Sequence, residues 1–145
     1  MNSEIFDYVN TQRVSVIAVE MPDGSPHAAT VHFACQTDPL MFIFQTSPTY
    51  RKSEALLQKE DVRASLVIGL QEVEDGKEKT FQLDGIARLV TADEGHLKDQ
   101  YFAKFPEKLV KEAFSDDIFF VFIPSWWRFT DWGKPEGKTI YTSTE

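Results

Sequence analysis

"LMFIFQT", residues 40–46, decides the fold. The run is apolar on both alternations of an extended chain, so the strand it predicts must have both faces covered. Left at the rim of an open sheet, such a strand would pair with any other chain it met. It therefore predicts a sheet that closes on itself, with side chains filling the inside and helices packed outside.

The segments around it supply that sheet. Upstream, "RVSVIAVEM" (13–21) is β-branched and ends on the turn chemistry of "PDGSP" (22–26). "HAATVHFAC" (27–35) reads as the next strand, and "QTDP" (36–39) turns the chain into residues 40–46. Downstream, Val62, Ala64, Leu66, Ile68 and Leu70 alternate against Arg63, Ser65 and Gly69, while Phe81, Leu83, Ala87 and Leu89 alternate against Thr80, Gln82, Asp84 and Arg88. These two strands form a long hairpin whose connection, "QEVEDGKEK" (71–79), carries Asp75-Gly76 at its tip. "DIFFVFIP" (117–124) and "WWRFTDW" (126–132) read as two more strands, split at Pro124-Ser125 where a ladder donor is missing.

Helical signals lie between them. "SEIFDYVNTQ" (3–12) has Ser3 as a possible N-cap and Ile5, Phe6 and Val9 on one face. In "TADEGHLKDQYFAKF" (91–105), Thr91 caps, Glu94 occupies the capping-box position, and Leu97, Tyr101 and Phe105 form one stripe ended by Pro106. A shorter helix follows around "PEKLVKEAF" (106–114). The prediction is a mainly β chain: a small six- to seven-stranded antiparallel split β-barrel with peripheral helices, in one domain spanning 1–145.

Charge narrows the function. Fifteen basic against 23 acidic residues give a net charge of -8, which repels nucleic acid and anionic membranes. No apolar run reaches the ~20 residues of a membrane helix, the start lacks a secretory pattern, and Cys35 has no partner for a disulfide. The expectation is a soluble cytoplasmic protein with an inert core thiol. His27 and His32 project to opposite faces of one strand and His96 lies on a separate helix, so no metal site is expected.

Against that acidic background, "FIFQTSPTYRK" (42–52) gathers hydroxyls, a proline and two adjacent cations. Pro48 suits the first turn of a helix capped by Ser47 or Thr49, with Leu56 and Leu57 facing inward. A strand then runs straight into a helix N-terminus, where free N–H groups, Thr46, Ser47, Arg51 and Lys52 could converge on a phosphate. The same residues also fit an ordinary solvated helix start.

The stretch "FQTSPTYRK" resembles the phosphate-gripping segment of the FMN-binding split barrels of the pyridoxamine 5'-phosphate oxidase type. The resemblance runs from about Arg13 to about Tyr141 and implies that Thr46, Ser47, Arg51 and Lys52 hold the FMN phosphate. "HAATVHF" stands where the strand along the flavin ring would be, which implicates Ala29, Thr30, Val31 and His32. "LDGIARL" resembles the glycine-centred strand after the hairpin, and Gln82 and Trp127 complete the expected cofactor set. The ending "RFTDWGKPEGKTIY" is similar to the Phe-Thr-Asp and Gly-Lys pattern of a small branch of that superfamily. A homodimer with the flavin at its interface is implied.

Two departures bear on activity. Thr30 or a neighbour stands where the oxidase has an arginine, and the oxidase's C-terminal substrate pattern is absent, so oxidation of pyridoxamine phosphate is not carried over. The expected function is a flavin-dependent oxidoreductase acting on an unspecified small molecule; the alternative is a non-catalytic flavin holder or a cofactor-free interaction module. A deazaflavin presents the same phosphate and flat ring, whereas haem is disfavoured because no histidine follows His96. His32 is either a ligand group or a structural hydrogen-bonder. Trp126, Trp127, Trp132 and Arg128 either contact a ligand or simply complete the packing.

Overall fold

A computed structural model describes residues 1–69, 74–112 and 115–143. Leu70, the 71–73 part of the hairpin connection, and Ala113 and Phe114 of the second short helix lie outside the described residues.

Strands β1 (Val14–Glu20), β2 (Pro26–His32), β3 (Ala34–Thr37), β4 (Leu40–Thr46), β5 (Val62–Ile68), β6 (Lys79–Leu89) and β7 (Ile118–Asp131) form one sheet in the order β2-β1-β5-β6-β7-β4-β3, and β8 (Thr139–Thr142) pairs with β7. Every pairing is antiparallel. The sheet curls into a split barrel, as the alternation predicts. Helices α1 (Ser3–Thr11), α2 (Arg51–Gln58), α3 (Gly95–Lys104) and α4 (Pro106–Glu112) lie around it.

The two-sided apolar character of residues 40–46 has a direct cause in the packing. Phe42 and Phe44 enter the barrel interior with Ile17, Leu66, Phe81 and Phe122, and the rings of Phe44 and Phe120 stack with centroids 4.7 Å apart. Ile43 points the other way, into a second core with Leu97, Tyr101 and Phe105 of the α3 stripe, and with Val121. Ala34 belongs to that outer cluster too. As anticipated, β4 is no edge: β7 flanks it on one side and β3 on the other. Asp75-Gly76 forms the hairpin tip, where Gly76 has φ +83°.

Several local expectations are corrected. Residues 118–131 are one continuous strand, because a bulge absorbs the Pro124-Ser125 irregularity: Gly85 pairs with Pro124 and Asp84 with Trp126, so Ser125 has no opposite number. Residues 27–35 are instead two strands, interrupted at Phe33. The N-cap of α1 is Asn2, whose Oδ1 accepts from the Ile5 N–H at 2.9 Å, not Ser3. Helix α2 starts at Arg51 behind a turn at Pro48-Thr49, and Tyr50 takes the cap position without a side-chain bond. That later start rotates the helix so that Leu56 is buried and Leu57 exposed.

The capping box forms as expected at a 3-10 turn (Ala92–Glu94) leading into α3, with the Thr91 N–H donating to Glu94 Oε1 at 2.9 Å. Arg88 adds a two-pronged grip on the same carboxylate, at 2.7 and 2.9 Å. Chiefly through that guanidinium, the Glu94 pKa falls to about 2. A carboxyl lowered in the folded state stabilises fully above its ordinary pKa and loses that contribution as pH falls from there towards about 2. Glu94→Gln should cost about 1–2 kcal/mol at neutral pH and almost nothing at the acid end of that window, read by urea unfolding across pH.

Candidate functional site

The barrel is split where β2 and β4 come together without a ladder: among the described residues, no strand pairing joins them. A cavity of about 230 Å³ occupies that gap. Thr30, Val31 and His32 of β2 line one side; Gln45, Thr46 and Ser47, where β4 ends, line the other, and Tyr50, Lys52 and Asp117 complete it.

Two of these groups lack the partners that burial normally demands. Thr46 is 4% exposed, and its Oγ1 is buried with no hydrogen-bond partner among the described residues. Lys52 is also 4% exposed, and its Nζ meets only the Tyr50 ring, 4.7 Å from the centroid, with no ion pair among the described residues. Burial lowers the Lys52 pKa from its ordinary value. An orphaned hydroxyl and a desolvated cation each carry a penalty unless something polar and negative satisfies them.

The turn that delivers Lys52 is internally braced. Ser47 Oγ lies 2.8 Å from Thr49 Oγ1, and the Ser53 hydroxyl donates to the Ser47 carbonyl at 2.7 Å. Fully buried Ser53 thereby ties the first turn of α2 to the end of β4. Helix α2 meets the cavity through Tyr50 and Lys52 at its start, where the Ser53 N–H is taken up by the Tyr50 carbonyl at 3.0 Å.

His32 sits at the cavity wall with its ring edge-on to Phe105, centroids 5.5 Å apart. Burial lowers its pKa, and the cations of Lys108, Arg13 and Lys104 lower it further, against an opposing effect of Glu107.

Of the residues expected from the sequence, the structure brings together Thr30, Val31, His32, Thr46, Ser47 and Lys52. Ala29, next to them on β2, is not part of the lining. Arg51 is exposed and outside it, and its charge acts instead on Asp23, which it helps to lower in pKa. Gln82 lies in a separate concavity with Arg128, Trp132 and Lys138. Trp127 projects to the opposite face of the sheet, packing edge-on against Phe81 at 5.5 Å. Trp126 lies beside the Arg128 guanidinium, 5.7 Å from it.

Gln45, Tyr50 and Asp117 were not anticipated. Tyr50 follows from the later start of α2, which turns the residue before Arg51 towards the cavity. Asp117 arrives through the pairing of Thr46 with Ile118, a long-range contact with no local signal. Cys35 is half-buried, and burial pushes its thiol pKa up to about 12.

The fold is shared with solved structures. A haem-binding protein from Mycobacterium smegmatis superposes with a TM-score of 0.72 at 18% identity, over 92% of this chain and 54% of that one, so this chain spans about half of its length. A pyridoxamine 5'-phosphate oxidase-related, FMN-binding protein from Nostoc punctiforme gives 0.64 at 13% identity, covering 97% of this chain and 88% of that one. An FAD-binding protein from Mycobacterium smegmatis gives 0.62 at 16% identity, covering 91% and 95%. No curated protein matches the sequence. The pyridoxamine 5'-phosphate oxidase family model, however, matches residues 1–131. With nearly the whole barrel inside that match, the chain belongs to the pyridoxamine 5'-phosphate oxidase family.

Proposed function

We propose that this protein binds flavin mononucleotide and serves as a flavin-dependent oxidoreductase for a small molecule. The observation that carries the reading is the coincidence, in one cavity, of the unpartnered Thr46 hydroxyl and the unpaired Lys52 ammonium. A terminal phosphate satisfies both: Lys52 supplies the charge, the Thr46 hydroxyl donates, the positive end of the α2 dipole favours the anion, and Ser47 shapes the turn around them. Arg51, outside the lining, adds long-range attraction at the mouth.

At about 230 Å³ the cavity is smaller than the ~300–1,000 Å³ that encloses a small ligand, so the phosphate end fits and the ring does not. We place the ring along β2, against Ala29, Thr30, Val31 and His32, covered by a second copy of the chain. Gln82, outside the cavity of its own subunit, would reach the flavin only from that second copy, while Trp127 packs against Phe81 of its own barrel. When bound, the flavin supplies the hydride and electron transfer at its ring, so no protein nucleophile is needed. The side chains bind, orient and exclude water.

Native mass spectrometry of purified protein is the direct test, with a dimer carrying one FMN mass per chain as the expected result. A monomer that also takes up no added FMN would overturn the proposal. Flavin that binds but is not reduced by NADH or NADPH would make the protein a flavin holder.

Asp117 sharpens the test. Its carboxylate lines the cavity and opposes a phosphate by like charge. Asp117→Asn should tighten FMN by about 3- to 10-fold at low salt, with the gain shrinking as ionic strength rises in a fluorescence titration.

A further inference from the structure

His32 is exposed: its imidazole packs edge-on against Phe105, and neither ring nitrogen has a protein hydrogen-bond partner among the described residues, so both are open to solvent or to an incoming ligand. It shares the cavity with Lys52, Thr46 and Asp117. On its other side stands a cation cluster gathered on one ring: the Phe105 centroid lies 4.7 Å from the Arg13 guanidinium, 4.7 Å from Lys108 Nζ and 5.5 Å from Lys104 Nζ. Of these only Arg13 has a carboxylate partner among the described residues, Glu107 at 2.5 Å. Lys104 donates to the Gln12 carbonyl at 2.5 Å and Lys108 to the Tyr101 hydroxyl at 3.0 Å, so neither ammonium has its charge cancelled by a carboxylate among the described residues. Positive charge from the α1–β1 link, α3 and α4 therefore acts on His32 from one side, offset by Glu107, while Lys52 and Asp117 line the same cavity.

We infer that His32 is a second, proton-linked ligand of the anion held in this cavity: entry of a dianion draws a proton from solvent onto its imidazole. The inference rests on the phosphate reading above. Partial burial and the three cations Lys108, Arg13 and Lys104 oppose charging of the imidazole, and an incoming dianion offsets them. The protonated ring then donates to the anion, or to a neighbouring polar edge of the same ligand, from a nitrogen that has no other partner. No bond in the ligand breaks. By linkage, the anion binds more tightly as pH falls through the His32 midpoint of the bound state, with the gain levelling off below the midpoint of the free state.

The test uses sulfate, whose charge is constant over the relevant range, and follows the histidine ring protons by NMR across pH. His32→Gln assigns the His32 signal against His27 and His96. Compared with chloride at matched ionic strength, sulfate should raise the His32 midpoint by about half a pH unit or more, leaving His27 and His96 unmoved. In Lys52→Met the sulfate-induced rise should vanish. Two results would overturn the inference. If sulfate stabilises the wild type but not Lys52→Met against heat and the His32 midpoint stays put, the anion site stands and His32 is no part of it. If sulfate neither stabilises the protein nor moves any histidine, and FMN also fails to bind, the phosphate reading falls with it.

Discussion

Lys52→Met should lose FMN and gain stability at once. A charge-assisted hydrogen bond to phosphate contributes about 1.5–3 kcal/mol, so its removal should weaken FMN binding by roughly 10- to 150-fold. In the free protein the Lys52 side chain is buried and partly desolvated with no carboxylate partner among the described residues, and a methionine of similar length keeps the packing without the desolvation. Its unfolding free energy should rise by about 1 kcal/mol. A buried lysine with a lowered pKa binds fewer protons folded than unfolded, so wild-type stability should climb as pH rises between the folded and unfolded values. That slope should flatten in the variant. Flavin fluorescence quenching measures the first effect and urea unfolding the second. Unchanged affinity, or a variant less stable than wild type, would make Lys52 a structural residue and remove it from the site.

Gly85→Ala should be the most damaging single substitution in the barrel. A Cβ there would stand 2.1 Å from the Ile123 carbonyl oxygen and 2.8 Å from the Pro124 Cα, both backbone atoms of the paired strand. Neither can yield without opening the bulge that lets β7 run past its proline. The expected cost is about 3 kcal/mol or more, a fall in melting temperature on the order of 10 °C or failure to accumulate as soluble protein. Gly95→Ala is the control: no atom lies within 4 Å of its Cβ position, and it opens α3 in helical geometry. It should be neutral or stabilise by up to about 1 kcal/mol in thermal and urea unfolding. Equal behaviour of the two variants would show that strand proximity at the bulge is not limiting.

The strands with regular alternation were legible from residues alone, because burial on one face of β5 and β6 leaves a period that survives in sequence. The double-sided run 40–46 was legible for the opposite reason: Ile43 answers to α3 while its neighbours answer to the barrel. Pro124 misled because a missing donor costs a strand little when it falls at a bulge. The candidate site was legible only in part. Which of two adjacent cations enters a cavity depends on where α2 begins, and moving that start to Arg51 turns Lys52, Ser53, Ala55 and Leu56 inward while Arg51 and Leu57 face solvent. Asp117 is placed by strand pairing across the molecule, and the cations around Phe105 come from three elements that no single stretch of sequence unites.

Both margins of the gap belong to neighbouring stretches of chain, since β2 passes through Phe33 into β3 and the tight hairpin to β4. Phe33 is fully buried, and its N–H donates to the Arg13 carbonyl at 3.2 Å, so the link between the two margins is anchored in the core. The spacing of the two margins is therefore set by one short contiguous segment held at its middle by the core, with no described strand pairing across the gap itself.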